Sequence, residues 1–210
     1  SALLEDRRGV LWVGTNLGGA ARFVNGRFTP LGPAQGLPHH DVRAFLEDRD
    51  GNVWIAMIGG GLARVAPDGA LRVFTAADGL TTDRFVAIAE GGDGSIWLGS
   101  SGGGLTRYFE GRFRAFTTKD GLSSDRVIAV RADADGTAWA GTSGGGLNRV
   151  RGGKVASITA EKGLYDDLVQ VILDDGRGSF WMTCNKGVFR VPRAELEAVA
   201  DGRAAKVRSV

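Results

Sequence analysis

The residues of this 210-residue chain that could do chemistry are few, and they gather in short loops. His39 and His40 are its two histidines, and Asp41 follows them directly. The same loop position recurs downstream as Thr81, Asp83 and Arg84, then as Ser123, Asp125 and Arg126, then as Tyr165 and Asp167. His40 aligns with the three later Asp residues, and Asp41 with Arg84 and Arg126. A histidine beside carboxylates is a pairing used for proton transfer. Carboxylates alternating with guanidinium groups around one mouth suit a polar ligand such as a sugar or an organic acid. A simpler use is open to the carboxylates: each Asp can cap the backbone N–H groups of its own loop. Recurrence in three loops favours capping. The non-repeating His39, His40 and Tyr165 therefore carry the better binding signal.

Other constellations are weaker. Adjacent residues on an extended chain point opposite ways, so His39 and His40 do not read as a chelating pair. Asp133-Ala134-Asp135-Gly136 is similar to the start of a calcium loop but lacks the later acidic ligand. The Gly-Gly-Gly segments lack the Lys-Ser/Thr and the helix of a phosphate loop. Gly91-Gly92-Asp93-Gly94 shares only its letters with a cyclase motif. Neither metal nor cofactor is expected. Cys184, the single cysteine, excludes an internal disulfide. It has no base in its own motif, so it reads as a small packed residue.

What positions these loops is a repeat. The five tryptophans, Trp12, Trp54, Trp97, Trp139 and Trp181, are spaced by 42, 43, 42 and 42 residues. Around each stands an apolar strand, a Gly-containing turn, the Trp strand, a Gly-rich turn and a strand bearing Arg. A period of about 42 points to a propeller blade of four short strands. The fold expected is all-β, a β-propeller of five four-stranded blades forming one domain over 1–210. The blades run roughly 1–35, 36–78, 79–120, 121–162 and 163–210.

Strand one is expected at Val42–Glu47, Phe85–Glu90 and Val127–Ala132. Asp-Gly turns follow, as at Asp50-Gly51, Asp93-Gly94 and Asp135-Gly136, because Gly supplies the positive φ of a tight hairpin. Strand two carries the Trp, placed to pack between blades. Arg22, Arg64, Arg107, Arg149 and Arg190 recur on strand three, once per blade. That argues a structural role, with stems over neighbouring rings or paired with acidic turns. In the last repeat, Arg193–Ala200 reads as a short helix, and Ala205–Val210 is expected to supply the fourth strand. The blades either close into a small ring, the preferred arrangement, or form an arc of a larger one. An arc would expose apolar end faces and favour homo-oligomers.

Composition narrows the function classes. With 43% hydrophobic and 24% charged residues and a net charge of +2, the chain suits one globular domain. Lys and Arg are scattered among Asp and Glu, so nucleic acid is not an expected partner. No apolar run approaches the ~20 residues of a membrane span, and no targeting signal stands out.

From Gly121 to Arg149 the chain reads Gly-Leu-Ser-Ser-Asp-Arg-Val, then Asp-Gly, then Trp139-Ala140-Gly141-Thr142, then Gly144-Gly145-Gly146-Leu147-Asn148-Arg149. This resembles the two-component regulator propeller repeat, and the resemblance extends in phase over all five copies. It implies the extracytoplasmic, periplasmic sensor region of a bacterial hybrid histidine kinase or diguanylate cyclase, with the rest of a receptor chain as partner. No kinase or cyclase part is present, so the expectation is a non-catalytic ligand-sensing or interaction propeller. Two alternatives stand beside it. One is an engineered or excised repeat array kept for its fold. The other is a propeller lyase or hydrolase using His40 with Asp83. Function is expected where the copies differ.

Overall fold

In a computed structural model the chain is described over residues 2–16, 18–39 and 41–210. His40 lies outside the described residues. Four antiparallel four-stranded sheets follow one another along the chain. The first is β1 (Ala2–Glu5), β2 (Leu11–Gly14), β3 (Ala20–Val24) and β4 (Arg27–Leu31). The second is β5 (Val42–Glu47), β6 (Val53–Met57), β7 (Leu62–Val65) and β8 (Leu71–Phe74). The third is β9 (Phe85–Glu90), β10 (Ile96–Ser100), β11 (Leu105–Phe109) and β12 (Arg112–Phe116). The fourth is β13 (Val127–Ala132), β14 (Ala138–Thr142), β15 (Leu147–Arg151) and β16 (Lys154–Ile158). The expected first strands at 42–47, 85–90 and 127–132 are β5, β9 and β13, residue for residue.

The fifth sheet departs from expectation. It has three strands, β17 (Val171–Asp174), β18 (Ser179–Cys184) and β19 (Gly187–Pro192), followed by helix α1 (Arg193–Ala200). Ala205–Val210 does not form the fourth strand. The segment touches the edge of β19 through one reciprocal pair of bonds, Arg190 N–H to Val210 O at 2.7 Å and Val210 N–H to Arg190 O at 3.0 Å. Val207 N–H is drawn instead to Lys162 O, 2.8 Å away. The helix fills the place of a hairpin return, with Leu196 and Val199 buried beneath it.

Four of the five blades are stapled from within. The carboxylate before the hairpin turn accepts the indole N–H of the Trp six residues on. The pairs are Asp6–Trp12 at 2.9 Å, Asp48–Trp54 at 2.7 Å, Asp133–Trp139 at 2.8 Å and Asp175–Trp181 at 3.4 Å. The third blade has Gly91 in the acidic position, and Trp97 Nε1 is buried there without a partner. The strand-three arginines lie as expected. Arg22, Arg64, Arg107 and Arg190 stand 5.4–5.8 Å over the Trp of their own blade. Arg149 pairs instead with Glu197 and Asp201 of the α1 region.

The core is made between blades. Four clusters of buried side chains fill the four junctions between consecutive sheets. At each one a Trp faces the next blade: Trp12 meets Phe45, Trp54 meets Tyr108, and Trp139 meets Phe180 edge-on at 5.3 Å. First strands pack in the order β1, β5, β9, β13, β17, and no comparable packing joins the first described blade to the fifth. The preferred closed five-blade ring is therefore not formed; the sheets make an open arc. Its physical mark is Trp181, which is 42% exposed, whereas Trp12, Trp54, Trp97 and Trp139 are exposed by 2% or less. No helix among the described residues is long and apolar enough to cross a membrane.

Candidate functional site at the second blade junction

The Gly-rich turns of the second, third and fourth blades are tied to the entry loop of the following blade. Gly59 and Gly61 N–H both donate to Asp83 O at 2.9 Å. Gly102 and Gly104 do the same to Asp125 O, and Gly144 and Gly146 to Asp167 O. The main chain of the three Asp residues is thus held alike, and their side chains can be compared directly.

Two of the three do what capping requires. Asp125 accepts Thr118 N–H at 2.7 Å and the Thr118 hydroxyl at 3.1 Å. Asp167 accepts Ala160 N–H at 2.7 Å. Both close the short 3-10 turn that leads into their own loop. Asp83 has the same turn ahead of it, Ala76–Asp78, capped at its first residue by Asp78 on Thr75 N–H at 2.9 Å. Yet the Asp83 carboxylate bonds neither Ala76 N–H nor any other described group. Ala76 N–H is correspondingly left without an acceptor.

A second difference meets it from the other wall. In three blades a hydroxyl closes the Gly-rich turn: Thr15 on Gly18 N–H, Ser100 on Gly103 N–H and Thr142 on Gly145 N–H, at 2.7–3.0 Å. The second blade has Met57 there, whose thioether gives Gly60 N–H no oxygen to donate to. Between these two relaxed elements opens a cleft of about 450 Å³. Its floor includes Val73, Phe74 and Leu80; its rim includes Pro38, Thr81 and Asp83. Free acceptor, free backbone donor, two threonine hydroxyls and an apolar floor make the usual surroundings of a small-molecule site.

The remaining expected site residues divide around this cleft. Thr81, Thr82 and Asp83 line it. His39 packs over its edge, so close that a Cβ at Gly59 would lie 3.0 Å from His39 Nε2. Its Nδ1 accepts Asp41 N–H at 3.2 Å. Asp41 is occupied by Arg43, 2.7 Å from Nε. Arg84 is exposed just beyond the rim. Ser123, Asp125 and Arg126 belong to the next junction and do not line the cleft; Ser123 is locked to Asn148 by bonds of 2.8–3.1 Å. Tyr165 lies half-exposed against Phe189, 5.6 Å away, one blade further on. Met57 and Ala76 were not singled out by sequence reasoning. Met57 carried a visible signal, since it breaks the Thr15, Ser100, Thr142, Cys184 series.

Capping lowers two carboxylates of these entry loops, Asp78 beside the cleft and Asp166 at the last junction. Backbone donation from Thr75 holds Asp78 below its ordinary range, and Arg72 adds to it. Leu168 N–H and Lys186 do the same to Asp166. No group of three or more His, Cys, Asp or Glu among the described residues could hold a metal ion.

The family model for the two-component regulator propeller matches residues 1–17 and 36–59. Two segments of the chain, at its first two blades, thus match the two-component regulator propeller repeat. No curated protein matches it. Among solved structures it is similar to the extracellular domain of BT4673 from B. thetaiotaomicron, described as a one-component system, with TM-score 0.77 and 20% identity. The match covers all of this chain but 30% of that one, so the chain spans under a third of that relative's length. The extracellular domain of BT3049, described as a hybrid two-component system from the same organism, gives TM-score 0.55 at 20% identity, covering 90% of this chain and 32% of that one. Virginiamycin B lyase from Staphylococcus aureus gives 0.73 at 17% identity, covering 92% and 66%. Likeness at such identity establishes the propeller fold and nothing finer, and enzymes share that fold with sensor domains.

Proposed function

We propose that this regulator propeller is a non-catalytic ligand-sensing module from the extracytoplasmic part of a bacterial two-component-type receptor, and that the second junction is where it binds. The observation that carries the reading is the parting of Asp83 from Ala76. At the next two junctions the equivalent carboxylate and amide satisfy each other; here both are vacant and face one cleft. A ligand hydroxyl restores the missing link by donating to the Asp83 carboxylate while accepting from Ala76 N–H. The chemistry favours a small hydroxylated molecule, a sugar or a hydroxy acid, over a ligand that offers only acceptors, which the Asp83 charge repels. The cleft surface is apolar enough to seat one face of a ring.

Thermal unfolding in the presence of a panel of mono- and disaccharides and hydroxy acids tests this. A binder at 100 times its Kd adds about 2.7 kcal/mol to stability. The reading expects at least one such stabiliser for the native chain and none for Asp83→Ala. Stabilisation that survives in Asp83→Ala, or no response across the panel, contradicts it. Turnover of the bound compound would favour the enzymatic reading that the lyase fold keeps open.

A further inference from the structure

At the end of the sheets away from the Asp83 cleft, the third and fourth blades enclose a second cavity, of about 160 Å³. Trp97 and Phe116 line it, and Asp93, Arg107, Arg114 and Asp135 stand around them. A missing group marks the place. In the other four blades a carboxylate ahead of the hairpin turn accepts the indole N–H of that blade's Trp. The third blade has Gly91 there, and Trp97 Nε1 is buried with no acceptor. Trp97 is 2% exposed, so bulk water does not make up the loss.

Two of the four charges are spent on each other. Arg107 Nη2 lies 2.5 Å from Asp93 Oδ2, while Asp93 Oδ1 accepts Ser95 N–H at 3.0 Å and the Ser95 hydroxyl at 2.5 Å. The other two are left open. Arg114 lies 4.7 Å over the Phe116 ring and against the Gly152–Gly153 turn, where a Cβ on Gly153 would stand 3.1 Å from Nη1. It makes no hydrogen bond or ion pair with any described residue. Asp135 gives one oxygen to Thr137 N–H at 3.0 Å, and this donation holds its pKa below the ordinary carboxylate range and keeps it charged at neutral pH. Its other oxygen is 3.8 Å from Arg151 Nε, whose proton goes to the Thr137 hydroxyl at 2.9 Å. One cavity thus gathers a guanidinium, a carboxylate oxygen and an indole N–H whose hydrogen bonds the protein leaves open.

We propose that this cavity binds a small α-amino acid as its zwitterion. The ligand carboxylate stands in for the Asp that the other blades carry, accepting from Trp97 Nε1 and pairing with the Arg114 guanidinium. The ligand ammonium donates to the open oxygen of Asp135. Charge selects this class. Two guanidinium and two carboxylate groups surround the cavity, so a ligand of zero net charge leaves none uncompensated. A simple anion meets repulsion from Asp93 and Asp135, and a simple cation meets it from Arg107 and Arg114. The volume is below that of a drug-sized site and admits only a short side chain. The site is separate from the Asp83 cleft: antiparallel pairing puts the Asp93 and Gly152–Gly153 turns at the opposite end of the sheets from the Gly-rich turns.

The indole N–H signals of a ¹H–¹⁵N correlation spectrum test the proposal at pH 7, with the Trp97 signal identified by its loss in Trp97→Phe. The native chain is titrated with glycine, L-alanine, acetate and methylammonium at one ionic strength. The expected result is a saturable shift of the Trp97 signal with glycine or alanine, and binding roughly tenfold weaker for acetate and for methylammonium. Gly91→Asp supplies the carboxylate from the chain and abolishes the response. Arg114→Ala, an exposed substitution that keeps the proposal testable if Gly91→Asp misfolds by circular dichroism, weakens glycine binding roughly tenfold. No saturable shift with either amino acid overturns the proposal. So does acetate binding as tightly as glycine, which removes Asp135 from the site, and so does glycine binding unchanged in Arg114→Ala or in folded Gly91→Asp.

Discussion

Asp48 satisfies four donors at once: the backbone N–H groups of Asp50 and Asn52, the Asn52 amide and the Trp54 indole. It is 5% exposed, so removing it strands those donors away from water. Asp48→Ala should cost about 2–3 kcal/mol in urea unfolding, the range expected when buried partners are orphaned. A loss below half a kcal/mol would show that the staple is incidental. The third blade offers the reciprocal experiment. Gly91 leaves Trp97 Nε1 unpaired, and a Cβ there would meet the movable ends of Asp93 and Ser95 at 2.8 Å. Gly91→Asn supplies an uncharged acceptor and should gain about 1 kcal/mol. These acids were readable from sequence as turn residues but not as indole partners. The link spans six positions and depends on how the hairpin curls back on strand two, which no local propensity states. The same limit hid Ala76. Its significance is an absent bond, visible only when its counterparts Thr118 and Ala160 are seen bonded.

At the scale of elements, the repeat was legible because turn glycines and apolar strands recur in register. Periodicity placed β5, β9 and β13 without error. It failed for Ala205–Val210, where no repeat template remained and docking of α1 decides the path. That helix is held by charge as well as by Leu196. Arg149 reaches both Glu197 and Asp201, and Arg151 reaches Glu197 at 2.7 Å. Hydrogen bonds from Arg203 and then Arg149 hold Asp201 at about 2, from an ordinary 3.8. A carboxylate with a depressed pKa stabilises the folded form above its unfolded value, and that contribution is lost as pH falls through the folded one. Helix docking should therefore weaken between pH 4 and pH 2 and be flat above. Helical ellipticity followed against pH should show this step in the native chain and a smaller one in Asp201→Asn. Identical acid profiles would remove Asp201 from the tether. Leu196→Ala, fully buried against the fourth and fifth blades, should cost about 2–4 kcal/mol.

The whole molecule is five blades joined by four cores, with an apolar face at each end. Expectation from sequence allowed a ring or an arc, because blade count and repeat length fit both. What separates them is curvature and the fate of the last tryptophan, which arise only on packing. Acrylamide quenching gives the molecule-scale check at dilutions where the chain is monomeric. One tryptophan in five, Trp181, should be readily quenched, and Trp181→Phe should abolish that fraction. Equal shielding of all five would mean that the arc closes in solution.

Binding is proposed to reside where Asp83 and Ala76 have parted. The most direct measurement is the Ala76 amide in a ¹H–¹⁵N correlation spectrum, titrated with the sugar or hydroxy acid that stabilises the chain. The predicted result is a saturable shift at Ala76, with Thr118 and Ala160 unmoved and the response gone in Asp83→Ala. A shift centred on Ser123–Arg126 or on Tyr165, with Ala76 silent, would contradict it.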